Sequence, residues 1–264
     1  MLPNVSSRIP KTLLKARTEL IPISHLIENE TPKTDEEGYA LQAALHDEFR
    51  IFGQGELAGW KIGATTSSMQ KYLGVDGPAY GRIMSANCYN SDESLSEAKF
   101  FKPGIECEIG VRIGNAPHEK KHTREDVMEL IGTVFPAIEI VENRYGNFQK
   151  WGTPLLIADD FFHKAAVLGK EISDWDGIDL SLIKGETWID GQIEGSGSGA
   201  EVMGHPLEAV AWLANTLLDH GFQLSEGQII LTGSVTPVIW LENYPCSVQI
   251  KCSSLGTVSA DFTD

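Results

Sequence analysis

The feature that most constrains how this 264-residue chain can fold is a pair of glutamates inside an apolar run, Ile105-Glu106-Cys107-Glu108-Ile109-Gly110-Val111-Arg112-Ile113. The run reads as a strand, and spacing i, i+2 on a strand puts both carboxylates on one face. The flanking Ile105, Ile109, Val111 and Ile113 argue for a core strand. Two carboxylates side by side repel, and burying them uncompensated is very costly. Either that face lies in solvent, as on an edge strand, or a cation neutralises the pair. A second apolar run, Pro136-Ala137-Ile138-Glu139-Ile140-Val141, puts Glu139 under the same constraint. Three carboxylates with no His or Cys partner suit a hard cation, Mg²⁺ or Mn²⁺, better than Zn²⁺. Spacing alone leaves the solvent-edge and the metal readings both open.

The elements around these strands follow from periodicity and punctuation. Residues 34–52 read as a helix capped by Thr34, with Leu41, Ala44, Leu45 and Phe49 as its apolar stripe. Residues 57–64 read as a strand, 66–73 as a short helix or lid capped by Thr66 or Ser67, and 105–114 and 133–142 as strands. Residues 123–132 read as a helix capped by Thr123. Asp190-Gly191 between Trp188-Ile189 and Gln192-Ile193 signals a hairpin. The clearest helix is 206–219, with Pro206 in its first turn and Gly221 past its end. Short strands follow near 228–233, 246–252 and 256–262. Many short strands with a few interposed helices predict a β-rich α+β fold with a coiled sheet or barrel. No repeat or linker divides the chain, so one domain is expected, with residues 1–55 as a helical N-terminal arm and 56–264 as the β-rich core.

Charge narrows the partners. A formal net charge of −16 repels phosphate backbones and anionic lipid, so neither nucleic acid nor membrane is an expected partner. No stretch of about 18 apolar residues is present, and no apolar segment follows the basic residues of the first 20. Cys88, Cys107, Cys246 and Cys252 lack metal-knuckle spacing and read as reduced thiols, which fits a cytoplasmic protein.

At the glutamates the chain resembles the 2-keto-4-pentenoate hydratase and 4-oxalocrotonate decarboxylase family of the fumarylacetoacetate hydrolase superfamily. The resemblance runs from about residue 35 to 262. In family order its pieces are Gly59-Trp60-Lys61-Ile62-Gly63, Leu73-Gly74-Val75-Asp76, Ile105 to Ile109, Pro136 to Val141, Leu155 to Asp159, Gly204-His205-Pro206-Leu207 and Ile230-Leu231-Thr232-Gly233. It implies a β-rich, barrel-like core with an N-terminal helical region and a homo-oligomer. It implies Glu106, Glu108 and Glu139 as ligands of Mg²⁺ or Mn²⁺, and Lys61 at the substrate. A 2-oxo acid chelated by such an ion is polarised towards its enolate, which serves both hydration and decarboxylation. Lys61 then supplies positive charge or a proton near that enolate; on residue type alone it is equally a surface lysine. Leu73, Thr232 and Gly233 are candidate substrate contacts, the last two through a hydroxyl and a backbone N–H. Arg144 is a candidate for a substrate carboxylate or for an ion pair with Glu142.

Three departures bear on the reaction. Where hydratases carry an acid after the lid, Pro78-Ala79-Tyr80-Gly81 has Ala79, as in the decarboxylase branch, and Asn143-Arg144-Tyr145-Gly146-Asn147-Phe148 also resembles the decarboxylases. The segment Ala158-Asp159-Asp160-Phe161-Phe162 replaces a small serine by Phe162 and an Asn by Asp160, which shrinks the pocket or turns it towards an apolar tail. Candidates for the missing acid are Asp76, Glu142, Asp160 and His163. The leading expectation is a metal-dependent lyase of a 2-hydroxydienoate or 2-oxo acid in aromatic catabolism, hydratase-like. The alternatives are a 4-oxalocrotonate-type decarboxylase, an acylpyruvate hydrolase or oxaloacetate decarboxylase on the same metal platform, and a non-catalytic ligand-binding relative. The lid lacks the His a hydrolase base would use.

Overall fold

A computed structural model describes residues 8–23, 30–115, 117 and 120–264, so positions 1–7 and 24–29 of the expected N-terminal arm lie outside the described residues. The chain opens with helices α1 (Arg8–Thr18) and α2 (Asp35–Ile51), then β1 (Leu57–Gly63), α3 (Ser67–Leu73), β2 (Ala79–Met84), β3 (Cys88–Asn90) and β4 (Glu93–Ser96). The long strands β5 (Pro103–Ile113) and β6 (Ile131–Glu142) flank a short α4 (Arg124–Met128). After α5 (Thr153–Ala158) come β7 (His163–Leu168), β8 (Lys184–Ile189), β9 (Gln192–Ser198) and α6 (Pro206–Asp219). The chain closes with β10 (Ile229–Ser234), β11 (Ile239–Trp240), β12 (Cys246–Cys252) and β13 (Gly256–Thr263).

Among the described residues the strands form two mixed sheets. One runs β2-β1-β10-β5-β6-β7-β3, with β11 on the end of β5; the other runs β4-β13-β12-β8-β9. Neither closes on itself, so the fold is α+β and the barrel-like expectation is not confirmed. Alternation along the central strands separates two faces. Trp60, Ile62, Ile105, Cys107, Ile109, Ile138 and Ile140 point into a core shared with α6 and the second sheet, including Leu213, Val248, Ile250 and Val258. The opposite face carries Lys61, Glu106, Glu108 and Glu139. It is flanked by the cluster Ile83, Phe135, Ala137, Ala166, Ile229 and Leu231 and by α1, α2 and α5 with Leu13, Leu45 and Leu155.

Most local expectations hold. Thr34 caps α2 by accepting from the Glu37 N–H at 3.3 Å, and Thr66 caps α3. The Asp190-Gly191 turn has both φ values positive, 50° and 79°, matching the twist of β8 and β9. The helix expected over 123–132 is shorter. Its capping box on Thr123 and Asp126 forms, but the helix ends at Met128 and Ile131 already pairs with Ile113. Ile131, Thr133 and Val134 are β-branched and extend β6 backwards into the sheet. No helix among the described residues is long and apolar enough to cross a membrane.

Candidate metal and substrate site

The site forms where four adjacent strands, β1, β10, β5 and β6, present one face. Antiparallel register sets Glu106 directly opposite Glu139. One carboxylate oxygen from each of Glu106, Glu108 and Glu139 lies within 4.8 Å of the others. Lys61 of β1 places Nζ 3.1 Å from Glu139 Oε1 and donates to the Phe161 carbonyl at 3.0 Å. His163, at the start of β7, lies with Nδ1 2.9 Å from the same Glu139 oxygen. Glu108, Glu139 and Lys61 are buried, and Glu106 is half-buried at the cavity wall.

The backbone of β10 is shaped for Glu108. Pairing with β5 shifts register between Leu231 and Ser234, a bulge that re-aims the strand. Gly233, at φ +128°, donates its N–H to Glu108 Oε2 at 2.7 Å, and a Cβ there would lie 2.5 Å from Thr65 Oγ1. Thr232 donates its hydroxyl to the Ile109 carbonyl at 2.8 Å. Gly233 therefore supports the Glu108 carboxylate and Thr232 the backbone of β5, and the donors expected to meet the substrate are already engaged.

The electrostatics are those of a cluster with too much negative charge. Burial, then Glu139, raises Glu106 to about 7. Burial, then Glu139 and Glu106, pushes Glu108 well above the ordinary carboxylate range. Burial opposes the charge of Glu139 too, but Lys61 and His163 outweigh it and hold this carboxyl below its usual value. Burial opposes the Lys61 ammonium, and the three glutamates overcome it, raising Lys61. Glu108 Oε1 and Glu139 Oε2 are buried with no hydrogen-bond partner. Orphaned carboxylate oxygens are rare, and an all-oxygen donor set with two of them fits a hard divalent cation.

A cavity of about 620 Å³ opens over this cluster. Lys61, Glu106, Thr65, Ser234 and Thr236 form its polar side; Met69, Tyr72, Leu73, Val141, Phe148, Phe161 and Phe162 form its apolar side. Lys61 is the only Lys or Arg among the described lining residues, and Glu201 lies at the wall. The lid helix α3 touches the far wall through Tyr72, whose ring centroid is 5.7 Å from that of Phe148.

The remaining sequence candidates separate. Leu73 and Phe162 line the cavity as expected. Ala79 does not; it is buried in the cluster with Val75 and Phe161. Glu142 and Arg144 pair with each other, and Arg144 also pairs with Asp159 at 2.5 Å. Glu142 accepts the Phe101 N–H at 2.8 Å as well. Both side chains are fully buried, so the ion-pair alternative for Arg144 holds and Glu142 is not placed to transfer a proton to substrate. Asp160 turns away from the cavity onto His46 Nε2 at 2.8 Å, Arg17 at 3.2 Å and the Arg82 N–H at 3.0 Å. Asp76 is exposed and does not line the cavity. His163 alone of the four acid candidates touches the cluster.

The segment after α5 is unusual. Asp160, Phe161 and Phe162 have φ of 54°, 50° and 71°, three consecutive side-chain-bearing residues in the left-handed region. Each costs on the order of 1–2 kcal/mol, so surrounding bonds must hold them. Gly63 makes room, since a Cβ there would lie 2.3 Å from Phe161 Cδ1.

His46 gives a pH expectation. Burial lowers its pKa and outweighs the raising effect of Asp160, so the folded protein holds a neutral imidazole. A depressed histidine costs stability once the unfolded chain takes up the proton, below its ordinary value of 6.5. Urea unfolding at pH 7.5 and 5.5 should therefore show a larger acid-side loss in the parent than in His46→Gln. Equal losses would remove His46 as the cause.

The comparisons agree with this geometry. The family model described as fumarylacetoacetate (FAA) hydrolase C-terminal matches residues 90–261. A 2-hydroxyhexa-2,4-dienoate hydratase of Comamonas testosteroni is 32% identical over 97% of this chain and 96% of its own length. A 2-keto-4-pentenoate hydratase of Burkholderia vietnamiensis is 30% identical over 86% and 85%. The structure of 4-oxalocrotonate decarboxylase from Pseudomonas putida G7, complexed with magnesium and adipate, superposes with a TM-score of 0.90 at 26% identity, covering 97% of this chain and 96% of that one. With two thirds of its length matched by that model and near-complete overlap with these relatives, the chain belongs to the fumarylacetoacetate hydrolase family, in its branch of 2-keto-4-pentenoate hydratases and 4-oxalocrotonate decarboxylases.

Proposed function

We propose that the chain is a metal-dependent lyase that hydrates a 2-hydroxydienoate bearing an apolar tail, in the breakdown of aromatic compounds. The observation that carries this reading is the polarity of the cavity: Lys61 and Glu106 on one side, with Glu108 and Glu139 buried behind Glu106, apolar side chains on the other, and no second Lys or Arg on the described wall. Glu106, Glu108 and Glu139 would hold Mg²⁺ or Mn²⁺. Bound there, the ion would supply Lewis acidity to the 2-oxo or 2-hydroxy end of the substrate.

This chain's own residues do the rest. Lys61 has three N–H donors, and two are directed at Glu139 Oε1 and the Phe161 carbonyl. The third is free for a substrate oxygen, where the ammonium stabilises developing negative charge. His163 and Lys61 together keep Glu139 ionised and fix its orientation. Leu73, Phe148 and Phe162 receive the tail and keep water from the apolar end. With alanine at position 79, no carboxyl from that strand reaches the cavity, so proton transfer falls to groups on the wall, Lys61 foremost.

A decarboxylase reading is supported by the close superposition on 4-oxalocrotonate decarboxylase, by Ala79 and by the stretch Asn143 to Phe148. It requires a place for a second substrate carboxylate. Among the described lining residues such a group meets no second Lys or Arg. Within the proposed reading residues 1–264 act as one catalytic unit in the cytoplasm, and copies associate into a homo-oligomer.

The test follows 2-hydroxypenta-2,4-dienoate by ultraviolet absorbance, with Mg²⁺ or Mn²⁺ added to metal-free protein, beside CO₂ release from 4-oxalocrotonate. Metal-dependent loss of the dienoate, with kcat/KM at least about tenfold above that for the dicarboxylate, is expected; a tenfold ratio corresponds to about 1.4 kcal/mol of discrimination. The reverse ratio would favour the decarboxylase. Silence on both substrates would remove the lyase assignment.

A further inference from the structure

Arg17 lies on α1, some ninety residues from the nearest carboxylate of the cluster in sequence, yet it reaches the segment that lines the cavity. Its side chain is only 6% exposed. Nε donates to Asp159 Oδ1 at 2.5 Å, and Nη2 donates to the Asp159 carbonyl at 2.6 Å and lies 3.2 Å from Asp160 Oδ2. The guanidinium also sits 5.2 Å over the Phe49 ring of α2. Among the described residues it is the only side chain in an ion pair with both Asp159 and Asp160. Those two aspartates lead directly into the three left-handed residues.

We propose that Arg17 is a positioning residue for the reaction centre: it clamps the left-handed segment 160–162, so that the Phe161 carbonyl orients Lys61 and the Phe162 ring shapes the cavity wall. The argument rests on what the segment would otherwise do. Left-handed backbone at three side-chain-bearing residues relaxes towards extended or right-handed φ unless tethered. Relaxation would rotate the Phe161 peptide and withdraw its oxygen from Lys61 Nζ, now 3.0 Å away. It would also move the Phe162 ring, packed edge-on against Tyr145 and Phe148, out of the wall. Arg144 and Tyr145 hold Asp159 from the other side, and His46 holds Asp160, but each grips one carboxylate only. Arg17 grips both carboxylates and the intervening backbone carbonyl, so its loss releases the turn as a unit. The metal-side carboxylates keep supports that Arg17 does not touch: their places on β5 and β6, the Gly233 N–H on Glu108 and His163 on Glu139. The kinetic part of this inference rests on the proposed role of Lys61 beside the reacting oxygen; the placement part does not.

The experiment uses Arg17→Gln and Arg17→Lys in the full chain. Lysine-selective ¹⁵N labelling reads the Lys61 ammonium, its signal assigned by Lys61→Met. In Arg17→Gln the Lys61 signal should shift and lose its slow exchange with water, while Mg²⁺ affinity stays within about threefold. With dienoate substrates kcat should fall about tenfold or more, and KM should rise more for a longer apolar tail than for the pentadienoate. Arg17→Lys should restore part of both. Where Arg17→Gln does not fold, Asp160→Asn keeps the shape and removes one charge facing Arg17, and should shift the Lys61 signal in the same sense. An unchanged Lys61 signal in a folded variant overturns the proposal, as does a uniform loss of metal affinity and activity together. The signal is read without turnover. A shifted signal in a parent that turns over neither substrate would leave the clamp standing and remove the proposed function.

Discussion

Glu108→Gln is expected to abolish useful metal affinity and, at the same time, to stabilise the metal-free protein. The two effects share one cause. Glu108 is fully buried, its Oε1 has no partner, and burial together with Glu139 and Glu106 drives its pKa well up. A group whose folded pKa is raised destabilises the fold as pH climbs above its unfolded value of 4.5. An amide removes that load and still accepts the Gly233 N–H through its oxygen. A gain of roughly 1–3 kcal/mol in metal-free stability is reasonable for deleting a buried, unmatched charge. Metal affinity should fall at least about a hundredfold, because loss of an outer partner alone costs ten- to a hundredfold and Glu108 would be a direct oxygen donor in the proposed site. Calorimetric titration with Mg²⁺ and Mn²⁺, beside thermal unfolding with and without the ion, reads both. Glu139→Gln should behave in the opposite way without metal. Glu139 is ionised and offsets buried Lys61, so its removal leaves an ammonium in the core without its nearest counter-charge. If both variants destabilise the metal-free protein equally, the asymmetry is wrong. In the parent, affinity should also rise as pH approaches about 7, where Glu106 gives up its proton.

Lys61→Met is expected to separate metal binding from turnover. The methionine stem fills nearly the same space but carries no charge and no donor. The ion would lose a like-charged ammonium 3.1 Å from a ligand oxygen of Glu139, so Mg²⁺ affinity should hold or improve. Turnover should fall by about 10²–10⁴ in kcat, the range associated with removing a positioned proton donor or a charge aimed at a developing oxyanion. KM should move far less, since the apolar wall of Leu73, Phe148 and Phe162 is untouched. Steady-state kinetics on the dienoate at saturating metal checks this. A variant that keeps full kcat would show that Lys61 is a structural counter-ion to Glu139 and nothing more.

The glutamate triad was legible because of a conflict visible in one dimension. Strand-forming residues on both sides of Glu106 and Glu108 force the carboxylates onto one face, and Glu139 repeats the conflict thirty-one positions on. Lys61 and the cavity residues Leu73 and Phe162 followed from resemblance rather than from spacing. The same reading went astray at Glu142, Asp160, Thr232 and Gly233. Each has a residue type suited to chemistry, and each spends its donors or charge on the protein: Arg144, His46 with Arg17, the Ile109 carbonyl and Glu108. No local signal distinguishes a carboxylate committed to a buried arginine from one open to substrate, because the arginine arrives from elsewhere in the chain. Arg17 shows this most plainly, 142 residues before the Asp159 it holds.

The sequence by itself determined which side chains share a face, where helices are capped and where hairpins turn, since period, capping residues and glycine conformation act within a few positions. It also put three carboxylates under one constraint, a donor set that, if it holds an ion, suits a hard one. Only the tertiary structure decided what stands opposite them. Parallel pairing brings β1 beside β10, antiparallel pairing brings β10 beside β5 and β5 beside β6, and a bulge turns the Gly233 N–H onto Glu108. Strand order and register therefore bring Lys61, His163 and the orphaned carboxylate oxygens within reach of one another. These contacts are long-range, and a one-residue change of register would send the same side chains to the other face, so no local pattern could contain them.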